Sequence, residues 1–504
     1  MEITAMDWWC PASGTALRWR PTETCAQAAA ATPAGEAATT FLAENHVRTS
    51  QLARSRGDEH RAYLGSGTDM DGEFDAVAMT RALEGFVRRH PILRTWFDIV
   101  GSEVHTHVVA PEDIAFDVEE LGPIESGEQF SRHLSRRFGS EAISDSFPGF
   151  AFGVISRPGG FTVFLGCDHA LSDGASQALA LSEIADLYAE YADVPADGPV
   201  SVDTAVDGHG DYAVIEREHA ARCDEGTAEV TEWRETFIRN GLRMPAFPLD
   251  LGLAPGETAP VRPLAMTMLD RDGIAAFDSA CKRAGGSFVA GIYAALAITG
   301  VELAGLTNYY GMTVLNTRAM LPRFASSQGW FCAFAPIEIE TAGAARFSDL
   351  MPAASAAQQR AKRLATVPVQ SVLGAMVSAG APIEEIVSAP NLLSYIDFRK
   401  FPADGTTAYE RGVIFTGEGR TANASTWINR DHDRLYLGSQ TPDTRFAQCQ
   451  LHRYYTHLCA VVAAVAADGD HRIASPTDIE SLPGTVQSRP MDGPQERARA
   501  CHHH

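Results

Sequence analysis

A chain of 504 residues exceeds what one ordinary core supports and suits two domains of middling size. With 45% hydrophobic and 21% charged residues it falls among soluble globular proteins, not disordered or fibrous ones. Lys and Arg total 41 against 64 Asp and Glu, a formal net charge of −23. That balance argues against a protein that coats duplex nucleic acid, while leaving room for a local basic patch.

Nine cysteines, at 10, 25, 167, 223, 281, 332, 449, 459 and 501, form no C-x-x-C pair. They read as reduced thiols, not as a disulfide framework or a zinc site. The opening MEITAMDWW carries an acidic residue and no apolar run, unlike a secretory signal, so a cytoplasmic location is expected. Residues 1–40 read as an N-terminal arm, with AAAATPAGEAA (28–38) as a loop.

RAYLGSGTDMDGEFD, following Glu59-His60, alternates as a strand, and AVAMTRALEGFVRRH places Ala76, Met79, Leu83, Phe86 and Val87 at helical spacing. His90 ends that helix, since the residue before Pro91 avoids the α region. ILRTWFDIV and EVHTHVVA follow as strands. AFGVIS (151–156) and FTVFLG (161–166) flank a Pro-Gly-Gly turn, CDHALSDG (167–174) closes the second of them, and ASQALALSEIADLYAEYA is an amphipathic helix. The first subdomain is therefore set at 41–205.

Residues 206–263, a charged helix (211–240) and a proline-rich stretch, read as a connection. The second subdomain, 264–485, opens with a strand (264–270) and the helix IAAFDSACKRAG. An apolar helix at 288–300 follows, too rich in Ala and Gly to read as a membrane span. A strand at 309–316, further strands through Trp427 and 435–440, and an amphipathic helix at 444–467 complete it. Residues 486–504 form a tail whose closing histidines, His502 to His504, read as a tag remnant.

His169-Ala-Leu-Ser-Asp173-Gly174 is the strongest local candidate for chemistry. A histidine where a buried strand ends can present an imidazole suited to acid–base work near neutrality. Asp173 can hold the turn by pairing with a cation, and Gly174 lets the backbone double back into the helix. On these six residues alone, a core histidine followed by a helix-capping aspartate stands equally open. Cys167 lies two residues before His169, which suggests a Cys/His pair, yet a strand cysteine is more simply a small apolar residue. His105 and His107 lack a third ligand and read as exposed strand residues, so no metal is expected. Gly417-Glu-Gly419-Arg-Thr-Ala422 imitates a dinucleotide fingerprint, but an extended segment follows where a helix is needed. No G-x-S-x-G elbow, Walker loop, H-E-x-x-H or S-x-x-K occurs.

HxxxDG after a buried strand resembles the signature of the condensation-domain and chloramphenicol-acetyltransferase-like acyltransferases. Three further stretches resemble that superfamily in order: MDGEFDAVAMTRALEGFVRRHPILRTWF (70–97), VLNTRAMLPRFASSQGWFCAFAPIEI (314–339) and YIDFRKFP (395–402). TFLAENHVRTSQ (40–51) and TWINRDHDRLYLGSQTPDT (426–444) are most similar to the stand-alone, polyketide-associated acyltransferases of actinobacteria. Where many condensation domains carry a histidine before the motif, this chain carries Asp168.

The resemblance implies an α/β fold with mixed sheets, in two subdomains arranged as a V with a tunnel between them. It implies an acyltransferase that moves a fatty or polyketide acyl group from a thioester to a hydroxyl, with His169 as general base. Asp173 would pair with Arg318 across the domain junction. Gly174 and Asp397 would be structural. Cys167, Asp168, Gly329, Trp330 and Phe331 would line the tunnel. No cofactor is implied beyond the thioester itself, carried by CoA or a phosphopantetheinyl carrier protein. Arg132, Arg136 and Arg137, or Arg360, Lys362 and Arg363, are the patches on which an acidic carrier could dock. The expected partners are thus a small-molecule donor and acceptor, with no nucleic acid and no membrane span, on a monomer. An amide-forming enzyme with an amine acceptor and a catalytically silent carrier-binding module are the competing readings.

Overall fold

The computed structural model describes residues 1–195, 206–386, 390–417 and 419–475. The tail at 486–504 lies outside them, as do 196–205, the end of the first expected subdomain, and 476–485, the end of the second.

Two compact units emerge from the packing: residues 1–222 with 316–332 and 400–417, and residues 223–315 with 333–399 and the remainder. This differs from a division into contiguous halves, because two excursions from the second half of the chain pack into the first unit. Arg318 rides on one of them, so it belongs to the same unit as Asp173.

In the first unit a seven-stranded mixed sheet runs in the order Glu2–Ile3, Val413–Thr416, Tyr63–Asp71, Gly160–Asp168, Phe150–Arg157, Gly14–Pro21, Phe116–Ile124. Residues 1–40 are therefore not an arm laid over the body. Gly14–Pro21 sits inside the sheet, paired with strands on both sides, and Glu23–Ala31 is a helix where a loop was expected at 28–31. The sheet is covered on both faces. Helices Ala76–Arg89 and Gly174–Ala192 bury Met79, Leu83, Phe86, Ile184 and Tyr188 on one. Helix Gly127–Glu141 buries Phe130, Leu134 and Phe138 on the other.

The strand Gly160–Asp168 is buried along its whole length, as a central strand covered on both faces must be. Its side chains alternate: Phe161, Val163, Leu165 and Cys167 enter one core, and Phe164 enters the other. Gly166 shares the face of Phe164, where a Cβ would lie 2.5 Å from the Phe138 ring.

The second unit repeats the plan with a sheet ordered Cys332–Glu340, Asn308–Asn316, Leu392–Asp397, Ser425–Arg430, Arg434–Pro442, Ala259–Asp270, Arg420–Thr421. Two of its pairings, those flanking Leu392–Asp397, are parallel. Helices Arg271–Arg283, Phe288–Ala304, Phe347–Leu364 and Arg445–Asp468 supply most of its core. The apolar helix Phe288–Ala304 is buried on nearly every side, as its Ala-rich composition suggested. Among the described residues no single helix is long and apolar enough to cross a membrane. The charged helix expected at 211–240 is two helices, His209–Arg222 and Ala228–Arg239. Between them Asp224 Oδ1 accepts hydrogen bonds from Gly226 N and Thr227 Oγ1, a local turn that competes with helix.

Candidate active site

The buried strand stops at Asp168, and the chain tightens into one 3-10 turn, His169–Leu171, before Asp173 caps helix Gly174–Ala192. The turn is tied down from several sides. His169 N donates to Ala62 O at 3.0 Å, and Gln177 Nε2 donates to Ser172 Oγ at 2.8 Å while its Oε1 accepts from Ser66 Oγ at 2.6 Å. The imidazole of His169 is half-buried. Its Nδ1 lies 3.0 Å from Ser172 O. A carbonyl can only accept, so Nδ1 carries the hydrogen and Nε2 keeps a lone pair. No partner engages Nε2 among the described residues. Burial, then the neighbouring His46, pushes the His169 pKa down to about 4, so the ring is neutral near pH 7.

Asp168 explains what stands in place of a second histidine in the motif. Its carboxylate is fully buried and accepts from Ala170 N at 2.8 Å and Ser144 N at 3.2 Å. His46 Nε2 lies 2.9 Å from Oδ1, and His60 Nε2 lies 3.5 Å from Oδ2. Burial alone would raise this carboxyl, but His46, His60 and the backbone amide outweigh it and hold the pKa below the usual value. His46 comes from helix Phe41–Ser55. Its ring centroid is 6.0 Å from that of His169 and 5.9 Å from that of Trp330, while Trp330 and His169 stand 4.0 Å apart. Three rings thus form one cluster.

Asp173 faces away from this cluster into a dense polar knot. Its Oδ1 accepts from Ser176 N at 2.7 Å, and its Oδ2 accepts from Arg318 Nη1 and Phe331 N, both at 2.8 Å. Arg318 also donates from Nε to Ser327 O at 3.1 Å and from Nη2 to Ser176 Oγ, Ser327 O and Gly329 O at 2.6, 2.9 and 3.2 Å. The guanidinium lies over the Phe331 ring at 4.2 Å. Burial would raise the Asp173 carboxyl, but Arg318 and the two amides hold it low. This arrangement braces the loop through a paired, buried charge; it does not aim a carboxylate at a substrate.

The stretch 329–331 divides its labour instead of lining one wall. Trp330 packs on His169, whereas Phe331 points the other way into a small core with Tyr212 and Phe324. Gly329 has φ +142°, and a Cβ there would meet the His209 ring at 2.7 Å, so only glycine fits. His209, buried and pushed down to about 4 by its burial, lies with Nε2 3.1 Å from Trp330 O and so anchors the tryptophan.

Other expected site residues fall elsewhere. Cys167 does not share a face with His169, because the chain leaves the strand between them; its thiol sits in the apolar core, pushed up to about 12 by burial. Asp168 is likewise packed inside the protein. Gly174 has no positive φ, and open space surrounds the site of its Cβ, so the turn does not require glycine there. Asp397 lies in the second unit, with its two carboxylate oxygens held by Arg399 Nε and Nη2 at 2.8 and 2.7 Å. His107 is buried, not exposed, stacked on Trp96 at 3.8 Å.

The basic stretches offered for carrier docking are largely engaged by local carboxylates. Arg137 is buried and grips Glu141, and Arg132 pairs with Glu128. Arg360 pairs with Glu232 and Glu338, and Arg363 with Glu232. Among the described residues no group of three or more His, Cys, Asp or Glu is placed to hold a metal ion.

Sequence reasoning missed His46, His60, Ser176 and His209. The one available signal was Asp168 itself, since a carboxylate ending a buried strand must find donors.

The family model for the condensation domain matches residues 57–477. The 2'-acyl-2-O-sulfo-trehalose (hydroxy)phthioceranyltransferase PapA1 of Mycobacterium tuberculosis (strain CDC 1551 / Oshkosh) is 27% identical over 474 residues, covering 93% of this chain and 89% of that protein. The trehalose-2-sulfate acyltransferase PapA2 of Mycobacterium bovis (strain BCG / Pasteur 1173P2) is 25% identical over 483 residues, covering 94% and 99%. A solved PapA2 acyl transferase superposes with a TM-score of 0.82 at 23% identity, over 93% of this chain and all of that one. With its HxxxDG turn braced as described and the match spanning most of its length, the chain belongs to the condensation-domain family.

Proposed function

We propose that the chain is an O-acyltransferase that moves an acyl group from a thioester to a hydroxyl in one direct step, with His169 as general base. The observation that carries this is the His169 tautomer. The hydrogen bond from Nδ1 to Ser172 O leaves Nε2 as a base, and the lowered pKa keeps it unprotonated. Nε2 takes the proton of the acceptor hydroxyl as its oxygen attacks the thioester carbonyl carbon. The C–S bond then breaks and the same proton passes to the departing thiolate, so the imidazole ends as it began. Such proton transfer is worth roughly 10²–10⁴-fold in rate. The relatives' names, which place acyl groups on sulfated trehalose, favour a sugar hydroxyl as acceptor. The donor is a CoA thioester or the corresponding thioester on a carrier protein.

The test is thiol release from octanoyl-CoA with trehalose and other alcohols as acceptors, comparing wild type with His169→Ala. A loss of at least about a hundredfold in kcat, with an unchanged melting temperature, is expected. Wild-type turnover in the variant would refute the mechanism.

A further inference from the structure

Resting on the acyl-transfer reading above, we propose that His46 is an acceptor-binding residue, and that the acceptor is a polyol presenting two adjacent hydroxyls. His169 Nε2 activates one hydroxyl and His46 Nδ1 holds its neighbour.

His46 is oriented from behind. Its Nε2 faces the Asp168 carboxylate at 2.9 Å, and a carboxylate held ionised accepts a hydrogen bond. The hydrogen on Nε2 is thereby fixed, and Nδ1 is left as the outward-acting nitrogen. No protein group engages Nδ1 among the described residues. The ring lies edge-on to Trp330 and 6.0 Å from the His169 ring. Two imidazoles, each pinned through one nitrogen and open at the other, therefore stand side by side. One is pinned by Ser172 O and the other by Asp168.

Two such nitrogens call for two partners on one ligand. Hydroxyls on neighbouring carbons, each making a hydrogen bond of about 2.8 Å, have the reach to serve two imidazoles whose ring centroids stand 6.0 Å apart. A hydroxyl suits Nδ1, since it can donate to that nitrogen's lone pair. Transfer then proceeds as above: only the hydroxyl at His169 loses its proton, and the one at His46 stays intact and fixes which oxygen reacts. In this chain the imidazole beside His169 is supplied by helix Phe41–Ser55 and held by Asp168.

The discriminating variant is His46→Gln. A glutamine amide can still donate to Asp168 from the place of Nε2 but has nothing at the place of Nδ1. His46→Asn, whose amide maps onto Nδ1, loses the Asp168 contact instead. The probes are trans-1,2-cyclohexanediol and cyclohexanol as acceptors, with octanoyl-CoA as donor. Wild type is expected to favour the diol about tenfold or more in kcat/KM, the worth of one well-made hydrogen bond. His46→Gln should erase that preference by raising KM for the diol about tenfold, with a change of less than about twofold for cyclohexanol. Equal losses on both alcohols would mean that His46 only braces His169, and would overturn the proposal. So would an unchanged diol preference, or a wild type that favours neither alcohol. The general-base reading is judged separately, by whether His169→Ala abolishes thiol release, so the two can fail independently.

Discussion

Asp173→Asn alters one atom and removes one charge in the knot that braces the His169 loop. The carboxylate accepts three hydrogen bonds from nitrogen, one at Oδ1 from Ser176 N and two at Oδ2 from Arg318 Nη1 and Phe331 N, and a longer one at Oδ2 from Cys332 Sγ. An asparagine brings a single acceptor oxygen, so whichever way its amide turns, an NH2 group faces a donor. Both partners are buried, with Arg318 and Asp173 side chains 4% and 5% exposed, so the guanidinium is left without its counter-charge. Removing one member of such a pair costs about 3–5 kcal/mol. Arg318→Met removes the other member but leaves the carboxyl two backbone amides, and protonation of the carboxyl limits its cost. The double variant should therefore be less destabilised than the sum, by about 1–3 kcal/mol. The assay is urea unfolding of the four proteins at pH 7.5, with kcat measured alongside. The sign with pH is fixed by direction: Asp173 titrates below its unfolded value, so its contribution is complete above about pH 4 and fades as pH falls further. The gap between wild type and Asp173→Asn should narrow over that acid range. A variant within about 1 kcal/mol of wild type, or strict additivity, would refute a buried, mutually dependent pair.

Two glycines of the site should part company: Gly174→Ala, in open space at ordinary φ, should melt at or slightly above the wild-type temperature. Gly329→Ala, at φ +142° and against His209, should cost of the order of 1–3 kcal/mol and move the Trp330 fluorescence. Cys167→Ser should stay active, and intact-mass spectra during turnover should show no acyl group on the protein, because the thiol is buried in core and held protonated. The pH profile of kcat/KM should stay flat below pH 6 and fall with a midpoint near 4, since His169 must be neutral to act; an acid limb near 6.5 would show an unperturbed base.

What the chain reveals before folding is uneven, for physical reasons. The strand into His169, the cap at Asp173 and the helix after it were legible because each is local: a run of buried residues, a capping carboxylate, a 3.6-residue period. The closing helix Arg445–Asp468 was legible for the same reason. Strand Gly14–Pro21 was not. It is covered on both faces, with Ala16 in one core and Trp19 in the other, so the alternation that marks a half-exposed strand never develops. Helix Gly127–Glu141 shows Phe130, Leu134 and Phe138 at helical spacing, yet its arginines drew attention as a docking patch. Only the fold shows that Glu141 lies one turn on and closes over Arg137.

The site follows the same division. HxxxDG is contiguous, so the base and its brace could be read together. The imidazole partners of Asp168, His46 on helix Phe41–Ser55 and His60 beyond its end, lie more than a hundred residues earlier, which no local pattern can announce. Chemistry still narrows the choice. A buried carboxylate without donors is too costly to persist, and two backbone amides do not saturate the four lone pairs of its two oxygens. Something charged or polar had to arrive from elsewhere, and an imidazole does so without placing a permanent positive charge beside His169. An arginine at position 46 would pair with Asp168 at least as tightly, but it would depress the neighbouring base further and offer no lone pair to a hydroxyl. The combination of Asp168 with His46 thus satisfies the strand end and leaves a second nitrogen for the acceptor.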